Sequence, residues 1–384
     1  MTMSKKLVSM AMVLGFGAVV WQAWAGSLTP PLGPIAPTMK TLVEVEPRIA
    51  INAVNTPGDA SSSFIISAPG SYYLTGNLNG VSAMRGIFVT TSGVTVDLMG
   101  FSMIGVPGSN EAIGVSGLNA PGSLIIRNGL IHDWGFAGIV TNVTTGVLIE
   151  GVIARNNSSH GIQCSTHCVV RNCIATGNGG TGIGTSFWGV VEGCTANDNA
   201  LGISVGSGGL VRDCMARGNS GDGIDCSGDC TVSSSTARSN GAIGIDTVSD
   251  STIKDCYVYS NTSDGIQGGI NTTVVNCKSN QNGLDGIQVG GDSVVLNCTV
   301  DDNGQAAGNA GIRVTAGSCR IEGNTVTDNN TTGIDLDAGG NLVIRNWFNG
   351  NTSNVVQTGT NLVGPTVTSA NIATDTHPHA NFEF

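Results

Sequence analysis

Acidic side chains recur at a fixed spacing in the middle of the chain. Asp225 and Asp246 are 21 residues apart, and so are Asp264 and Asp285. Two carboxylates held close together can share a proton, hold Ca²⁺ with the help of carbonyls and water, or act as an acid and a nucleophile. Which of these the chain can do depends on the elements that carry the carboxylates.

The spacing belongs to a repeat that runs through most of the chain. The dipeptide Gly-Ile begins at positions 138, 161, 182, 202, 223, 244, 265, 286, 311 and 333. With glycine as position 1, the seven units that begin at 161 to 286 have Val or Ile at position 10, Cys or Ser at position 13 and Asn at position 18. The Asn column, allowing for small insertions, comprises Asn157, Asn178, Asn199, Asn219, Asn240, Asn261, Asn282, Asn303, Asn329 and Asn351.

This repeat predicts an all-β coil. Apolar pairs at positions 2 and 4, 8 and 10, and 13 and 15 indicate three short strands per unit, each with one face inward. The units bury these faces only by stacking, with like positions about 4.8 Å apart. Asn tolerates the left-handed backbone of a sharp turn, and stacked amides can form a ladder. A leucine-rich horseshoe is disfavoured because Leu is scarce.

Composition supports this class and excludes others. Charged residues make up 11% of the chain, too few for the solvated faces of a mostly helical protein. Hydrophobic residues make up 40%, which excludes bulk disorder. The net charge is −11 with 16 Lys and Arg residues, so nucleic acid is not expected as a partner.

The N-terminus predicts export. Lys5 and Lys6 precede an apolar run over 7–20 and the small-residue motif Ala23-Trp24-Ala25. We expect a signal peptide at 1–25, the coil at 64–354 and a C-terminal cap at 355–384. Between the signal peptide and the coil, residues 26–63 are expected to form a Pro-rich linker and an N-terminal cap that includes a short helix. The alternative is an uncleaved anchor. The mature protein is expected to be secreted, extracellular or periplasmic and cell-surface, without a membrane span.

Three sequence features resemble a known family. They are the segments Ile66–Leu78 and Gly93–Phe101 and the Gly-Ile…Asn-Cys…Asn repeats. The chain resembles the right-handed parallel β-helix proteins of the pectate-lyase-like superfamily, in particular secreted bacterial members that are mostly unassigned in function. The resemblance implies a single-stranded right-handed parallel β-helix, here of about a dozen coils of about 21 residues. It also implies sugar sites mainly on the face of the first strand of each coil.

That face carries polar residues at position 3 and at the position before Gly. We predict that an extracellular polysaccharide binds there and that Asp225 and Asp246 are candidates for catalysis. Ca²⁺ is an optional cofactor, and no metal ligands are assigned. Ordinary turn chemistry is the alternative for Asp beside Gly, and Arg313 is expected to pair with Asp335. The predicted binding residues are Asp222, Asp225, Asp246, Asp264, Gln267, Asp285 and Gln288.

The eleven cysteines divide by position. Positions 4 and 8 flank a three-residue turn, which predicts the disulfides Cys164–Cys168 and Cys226–Cys230. The six cysteines at position 13 are expected to be stacked, buried and free, and Cys319 to be a buried free thiol.

The residues leave two functions open. One is binding, with or without processing, of a polysaccharide along the Asp/Gln face. If the protein is an enzyme, the reaction would be that of a polysaccharide lyase or a glycoside hydrolase. The other is a non-catalytic structural or adhesive solenoid at the cell surface, which low charge and few aromatic residues favour.

Overall fold

The computed structural model describes residues 46–115, 123–142, 146–304 and 308–384. Every strand of these described residues lies in the compact unit from Arg48 to Phe384. Over the described ranges the chain forms strands and turns and no helix. The predicted signal peptide, and the linker and short helix up to residue 45, lie outside the described residues.

The first sheet contains the first strand of each turn of a right-handed β-solenoid. Its fourteen strands are all parallel, so the solenoid has about fourteen turns, where the repeat predicts about a dozen. The all-β prediction is confirmed. The strands are Ser62–Ile66, Arg85–Val89, Ile113–Val115, Ile139–Thr141, Ile162–Cys164, Thr181–Thr185, Leu201–Val205, Ile224–Cys226, Ile245–Ser249, Ile266–Ile270, Ile287–Val289, Ala310–Val314, Thr332–Leu336 and Ser353–Gln357.

The second sheet holds 28 strands in the described ranges; most turns contribute two short strands, and Leu124–His132 and Val147–Arg155 are single long ones. Its N-terminal strands are Ile49–Ala50, Gly70–Tyr73, Leu78–Asn79, Val94–Asp97, Ser102–Ile104, Leu124–His132, Val147–Arg155, Cys168–Arg171, Ile174–Thr176, Val190–Glu192, Thr195–Asn197, Leu210–Arg212, Met215–Arg217 and Thr231–Ser233. The C-terminal ones are Thr236–Arg238, Thr252–Lys254, Tyr257–Tyr259, Thr273–Val275, Lys278–Asn280, Val294–Leu296, Thr299–Asp301, Arg320–Glu322, Thr325–Thr327, Leu342–Ile344, Trp347–Asn349, Leu362–Val363, Thr366–Thr368 and Asn381–Glu383.

The register follows the repeat. Ile224 pairs with Ile245 in the first sheet, and Val232 pairs with Ile253 in the second. All four side chains are fully buried. Like positions therefore stack along the interior, and each strand alternates between buried and outward residues as its pleat requires. No helix in the described part of the chain is long and apolar enough to cross a membrane.

The Asn column forms the predicted ladder. For example, the side chain of Asn240 donates to Oδ1 of Asn261 at 2.9 Å, and the backbone N–H of Asn240 donates to the same oxygen at 3.1 Å. One part of the prediction was wrong: the left-handed residue is the one before the ladder Asn, for instance Ser239 with a φ of 53°. The ladder side chain instead bonds the turn of the adjacent coil, which requires an inward position rather than a left-handed one.

The cysteines lie where the repeat places them. The structure joins Cys164 to Cys168 and Cys226 to Cys230, each with a Cα–Cα distance of 6.4 Å. The six position-13 cysteines and Cys319 are free and buried. The position-13 column then continues with asparagine toward the C-terminus, since the backbone N–H of Cys298 donates to Oδ1 of Asn324 at 2.9 Å.

Candidate functional site

The first sheet brings polar residues at position 3 into one line. Asp225 pairs with Asp246, Asp246 with Gln267, and Gln267 with Gln288. The residues on either side of each are buried, so these four side chains point out of the solenoid. We call Asp225, Asp246, Gln267 and Gln288 the Asp/Gln row. Adjacent members lie on strands about 4.8 Å apart, as the 21-residue spacing predicts.

The row is half-buried, and this sets its electrostatics. Burial raises the pKa of the Asp225 carboxyl, although Ser204 Oγ donates a hydrogen bond to it at 3.0 Å and opposes the rise. Burial also raises the pKa of Asp246, and the negative charges of Asp225, Asp222 and Asp264 add to this, bringing it to about 6. The proton is therefore held more tightly on Asp246 than a solvated carboxyl would hold it.

Asp222, Asp264 and Asp285 each precede the Gly of a Gly-Ile pair. Their carboxylates lie at the edge of the first sheet and bond to the adjacent coil. Oδ1 of Asp222 accepts the backbone N–H of Ile243 at 2.9 Å, and Oδ1 of Asp264 accepts that of Asp285 at 2.7 Å. Oδ1 of Asp285 in turn accepts a hydrogen bond from the backbone N–H of Ala310 at 2.6 Å. Asp264 is 7% exposed and Asp285 3% exposed, so Asp222 and the four residues of the row are the more accessible members of the predicted set.

This arrangement can supply two kinds of chemistry. A carboxyl that titrates near 6 can donate a hydrogen bond when protonated and accept one when ionised, which suits the hydroxyl groups of sugars. Asp225 and Asp246 on adjacent strands also form a pair with unequal environments, because Ser204 stabilises the ionised form of Asp225 only. Unequal carboxyls of this kind can divide the acid and carboxylate roles of glycoside cleavage.

Arg313 lies at the C-terminal end of the row, in register with Gln288 and Asp335. Its ion pair is with Asp337, at 3.0 Å from Nε to Oδ2, and not with its register partner as the sequence suggested. The long side chain reaches past the adjacent strand to the turn that follows it, and Nη1 also donates to the carbonyl of Gly308 at 3.2 Å. Arg313 is thereby held at the end of the row.

Metal ligands do not converge near the row. In the described ranges, no three His, Cys, Asp or Glu side chains are grouped so that they could hold one ion. A Ca²⁺ ion at Asp225 and Asp246 would have two carboxylates and would need backbone carbonyls and water for the rest of its six to eight oxygens.

Sequence reasoning missed an aromatic pair beside the first sheet. Phe187 and Trp188 follow the strand Thr181–Thr185 and are 52% and 57% exposed. The Trp188 ring stacks on His167 of the preceding coil with centroids 4.9 Å apart. The signal in the sequence is a Phe-Trp dipeptide at a turn that in later coils holds Gly, Ser and Asp. The repeat conceals it, because it occurs only once.

The chain matches a known family over most of the solenoid. The family model for the right-handed beta helix region matches residues 81–214 and 202–353. These matches span more than half of the chain, which therefore belongs to the right-handed β-helix family.

Two solved structures have a similar fold. The A-module of mannuronan C-5 epimerase AlgE4 of Azotobacter vinelandii is 18% identical with a TM-score of 0.53, over 77% of this chain and 91% of that one. The A-module of AlgE6 of the same organism is 16% identical with a TM-score of 0.52, over 78% and 91%. At these identities the likeness shows the fold alone. No curated protein sequence matches the chain.

Proposed function

We propose that this protein binds an extracellular polysaccharide along the Asp/Gln row. The observation that carries the proposal is the register of Asp225, Asp246, Gln267 and Gln288 on four consecutive strands. A line of hydrogen-bonding groups repeated about every 4.8 Å suits an extended ligand whose hydroxyl groups also repeat along its length. The two structurally similar modules are named for an enzyme of mannuronan, which supports a polysaccharide as ligand in general but not an uncharged one in particular.

The row favours glycans without dense negative charge. Its carboxyls lie beside Asp222 and Asp264, and like charges at this distance disfavour a further anion. Asp225 and Asp246 are the residues that would carry catalysis if the bound chain is also cleaved, with Asp246 as the acid and Asp225 as the carboxylate. Secretion, or a periplasmic or cell-surface location, is part of the proposal and is supported by the two disulfides.

The test is a glycan array on the purified protein, followed by calorimetric titration of the tightest neutral ligand. The variants are Asp225→Asn, Asp246→Asn and the double variant, which remove charge without removing volume. We expect the double variant to bind at least about tenfold more weakly, the equivalent of about 1.4 kcal/mol. Asp213→Asn is the matched control, because Asp213 is exposed between two strands of the second sheet and Asn276 occupies the same position of a later coil.

The outcomes separate the candidate functions. Binding that survives in the double variant would exclude the row as the site. A release of reducing ends from the bound glycan that is lost in Asp225→Asn and Asp246→Asn would add catalysis to binding. A parallel titration with CaCl₂ and with chelator tests whether Ca²⁺ contributes.

A non-catalytic structural or adhesive solenoid is the second candidate. The observation that favours it is the continuity of the interior ladders, which run through ten coils in the Asn column alone and stiffen the coil. No binding to any glycan on the array would favour this function over the first.

A further inference from the structure

A pair of tyrosines stands on the outer face of the second sheet, away from the strands that carry the Asp/Gln row. Tyr257 and Tyr259 belong to one strand and flank the buried Val258, so both point outward. Their rings stack with centroids 4.5 Å apart and an interplanar angle of 27°. Tyr257 is 37% exposed.

Cationic side chains of the adjacent coils contact both rings. Arg238 is the register partner of Tyr259, and its Nη1 donates to the tyrosine hydroxyl at 2.9 Å. Lys278 is the register partner of Tyr257, and its Nζ lies 5.4 Å from the ring centroid. We call Arg238, Tyr257, Tyr259 and Lys278 the tyrosine patch.

Two further cations extend the positive charge of this face. Arg217 pairs in register with Arg238 one coil earlier, and Lys254 is exposed at the end of the preceding strand of the tyrosine coil. The four Lys and Arg residues between 213 and 280 all occupy outward positions of the second sheet, with Lys254 on the strand before the turn at Asp255, in a chain whose net charge is −11. The face also carries carboxylates, since Asp255 is exposed beside Lys254 and Asp301 is the register partner of Asn280.

These cations differ from other arginines of the second sheet. Arg171 is paired with Glu150 at 2.6 Å and Arg212 with Glu192 at 2.7 Å. By contrast, Arg217, Arg238, Lys254 and Lys278 form no ion pair with a carboxylate in the described part of the chain. Their charge is thus available to an anionic partner.

We propose that the tyrosine patch is a binding site for an anionic polysaccharide built from uronic acids. Arg and Lys bind carboxylates through charge-assisted hydrogen bonds, and tyrosine combines an apolar ring with a polar tip that suits a sugar. The register places Arg217, Arg238, Tyr259 and Asn280 on four consecutive strands, so contacts can repeat along an extended chain. The site is independent of the Asp/Gln row, whose negative charge disfavours such a ligand.

The test uses polygalacturonate as the anionic probe and dextran as the uncharged one, with binding measured by calorimetry. Substitutions taken from the same columns of the protein preserve the fold, since Thr299 and Thr325 occupy the column of Tyr257, and Asn197 and Asn280 that of Tyr259. The variants are Arg238→Thr with Lys278→Thr, and Tyr257→Thr with Tyr259→Asn. Trp347→Thr is the matched control, an exposed aromatic in the column of Tyr257.

We expect the wild type to bind polygalacturonate and not dextran at this patch. The cation double variant should lose at least about tenfold in affinity, and the tyrosine double variant about threefold to tenfold. Trp347→Thr should bind as the wild type does. Failure of the wild type to bind polygalacturonate, or undiminished binding by both double variants, would overturn the proposal.

Two further measurements test where polygalacturonate binds and how specific the site is. Asp225→Asn with Asp246→Asn should leave polygalacturonate binding unchanged, and a loss there would move the anionic ligand to the row and refute the patch. Single-stranded DNA should bind more weakly than polygalacturonate at the same number of charges. If DNA binds as tightly as polygalacturonate and the tyrosine substitutions do not weaken DNA binding, the patch attracts polyanions in general. That result would overturn the assignment to a sugar.

Discussion

The Asp/Gln row and the tyrosine patch occupy different faces of the same solenoid and use its repeat in opposite ways. In the row, half-buried carboxyls lie near one another without cations between them, and the pKa of Asp246 is raised to about 6. In the patch, the half-buried Arg238 and the exposed Lys278 contact two stacked rings, and neither cation forms an ion pair with a carboxylate in the described part of the chain. Because the coils stack in register, like charges at equivalent positions of adjacent coils lie close together on one face.

A solenoid can therefore present two chemically distinct surfaces without any change in its backbone. The strand register is the same on both faces, so the difference is made only by which residues occupy the outward positions. Burial raises the pKa of Asp225 and, together with the neighbouring carboxylates, brings that of Asp246 to about 6, whereas Lys278 and Arg217 on the other face are exposed. Four experiments test this contrast between the two faces.

The largest expected effect is on stability. Asp246→Asn should raise the free energy of unfolding at pH 7 by about 2 kcal/mol, because the folded protein no longer has to bury a charge near other carboxylates. The matched Asp213→Asn should change it by less than about 0.5 kcal/mol. Urea denaturation of both variants checks the difference. A destabilised Asp246→Asn would show that the carboxylate has a favourable partner in the folded state.

Salt should separate the two faces. Binding of polygalacturonate at the tyrosine patch should weaken about tenfold between about 50 mM and about 500 mM NaCl, because exposed charges are screened. Binding of a neutral glycan at the Asp/Gln row should change by less than about twofold, since an uncharged ligand has no charge–charge attraction for salt to screen. Calorimetric titrations at the two salt concentrations give both values. Equal salt dependence would contradict the assignment of different ligands.

The pH dependence of stability has a definite sign. The pKa of Asp246 is raised in the folded state to about 6, so its unfavourable contribution is absent below about pH 4, develops between about pH 4 and about pH 6, and is complete above that. The advantage of Asp246→Asn over the wild type should therefore shrink by about 1 kcal/mol or more between pH 7 and pH 5. Paired urea denaturations at the two pH values measure it. An advantage that does not depend on pH would show that burial of a charged carboxylate is not its cause.

The smallest effect concerns the hydrogen bond from Ser204 to Asp225. Ser204→Ala removes the donor that stabilises the ionised carboxyl, so the pKa of Asp225 should rise further. The free energy of unfolding at pH 7 should fall by about 0.5–1 kcal/mol. Titration of the carboxyl carbon by NMR follows the pKa directly. An unchanged titration would mean that Ser204 does not bond Asp225 in solution.

Much of the molecule could be read from the repeat, because it reports stacking directly. The Asn ladder, the buried thiols, the two disulfides and the line of Asp225, Asp246, Gln267 and Gln288 all follow from one spacing. The repeat failed where a side chain leaves its column. Arg313 reaches the turn at Asp337 instead of its register partner, and the length of the arginine side chain allows either.

The tyrosine patch shows a second limit. Tyr257 and Tyr259 occur in one coil only, and Arg238 and Lys278 lie 19 or more residues from them. A search for repeated positions finds only residues that recur from coil to coil, so it does not detect residues that occur once. Only the assembled sheet shows that the four side chains touch.

The coil, its register and its interior follow from the amino-acid order alone, because a 21-residue period leaves stacking as the only way to bury every inward face. Which polar groups are accessible and which are enclosed emerges only in the folded protein. Asp222, Asp264 and Asp285 all precede a Gly-Ile pair, yet Asp222 is half-buried while Asp264 and Asp285 are buried against the backbone of the next coil. Burial and charge depend on neighbours from other coils, and these neighbours exist only once the chain is folded.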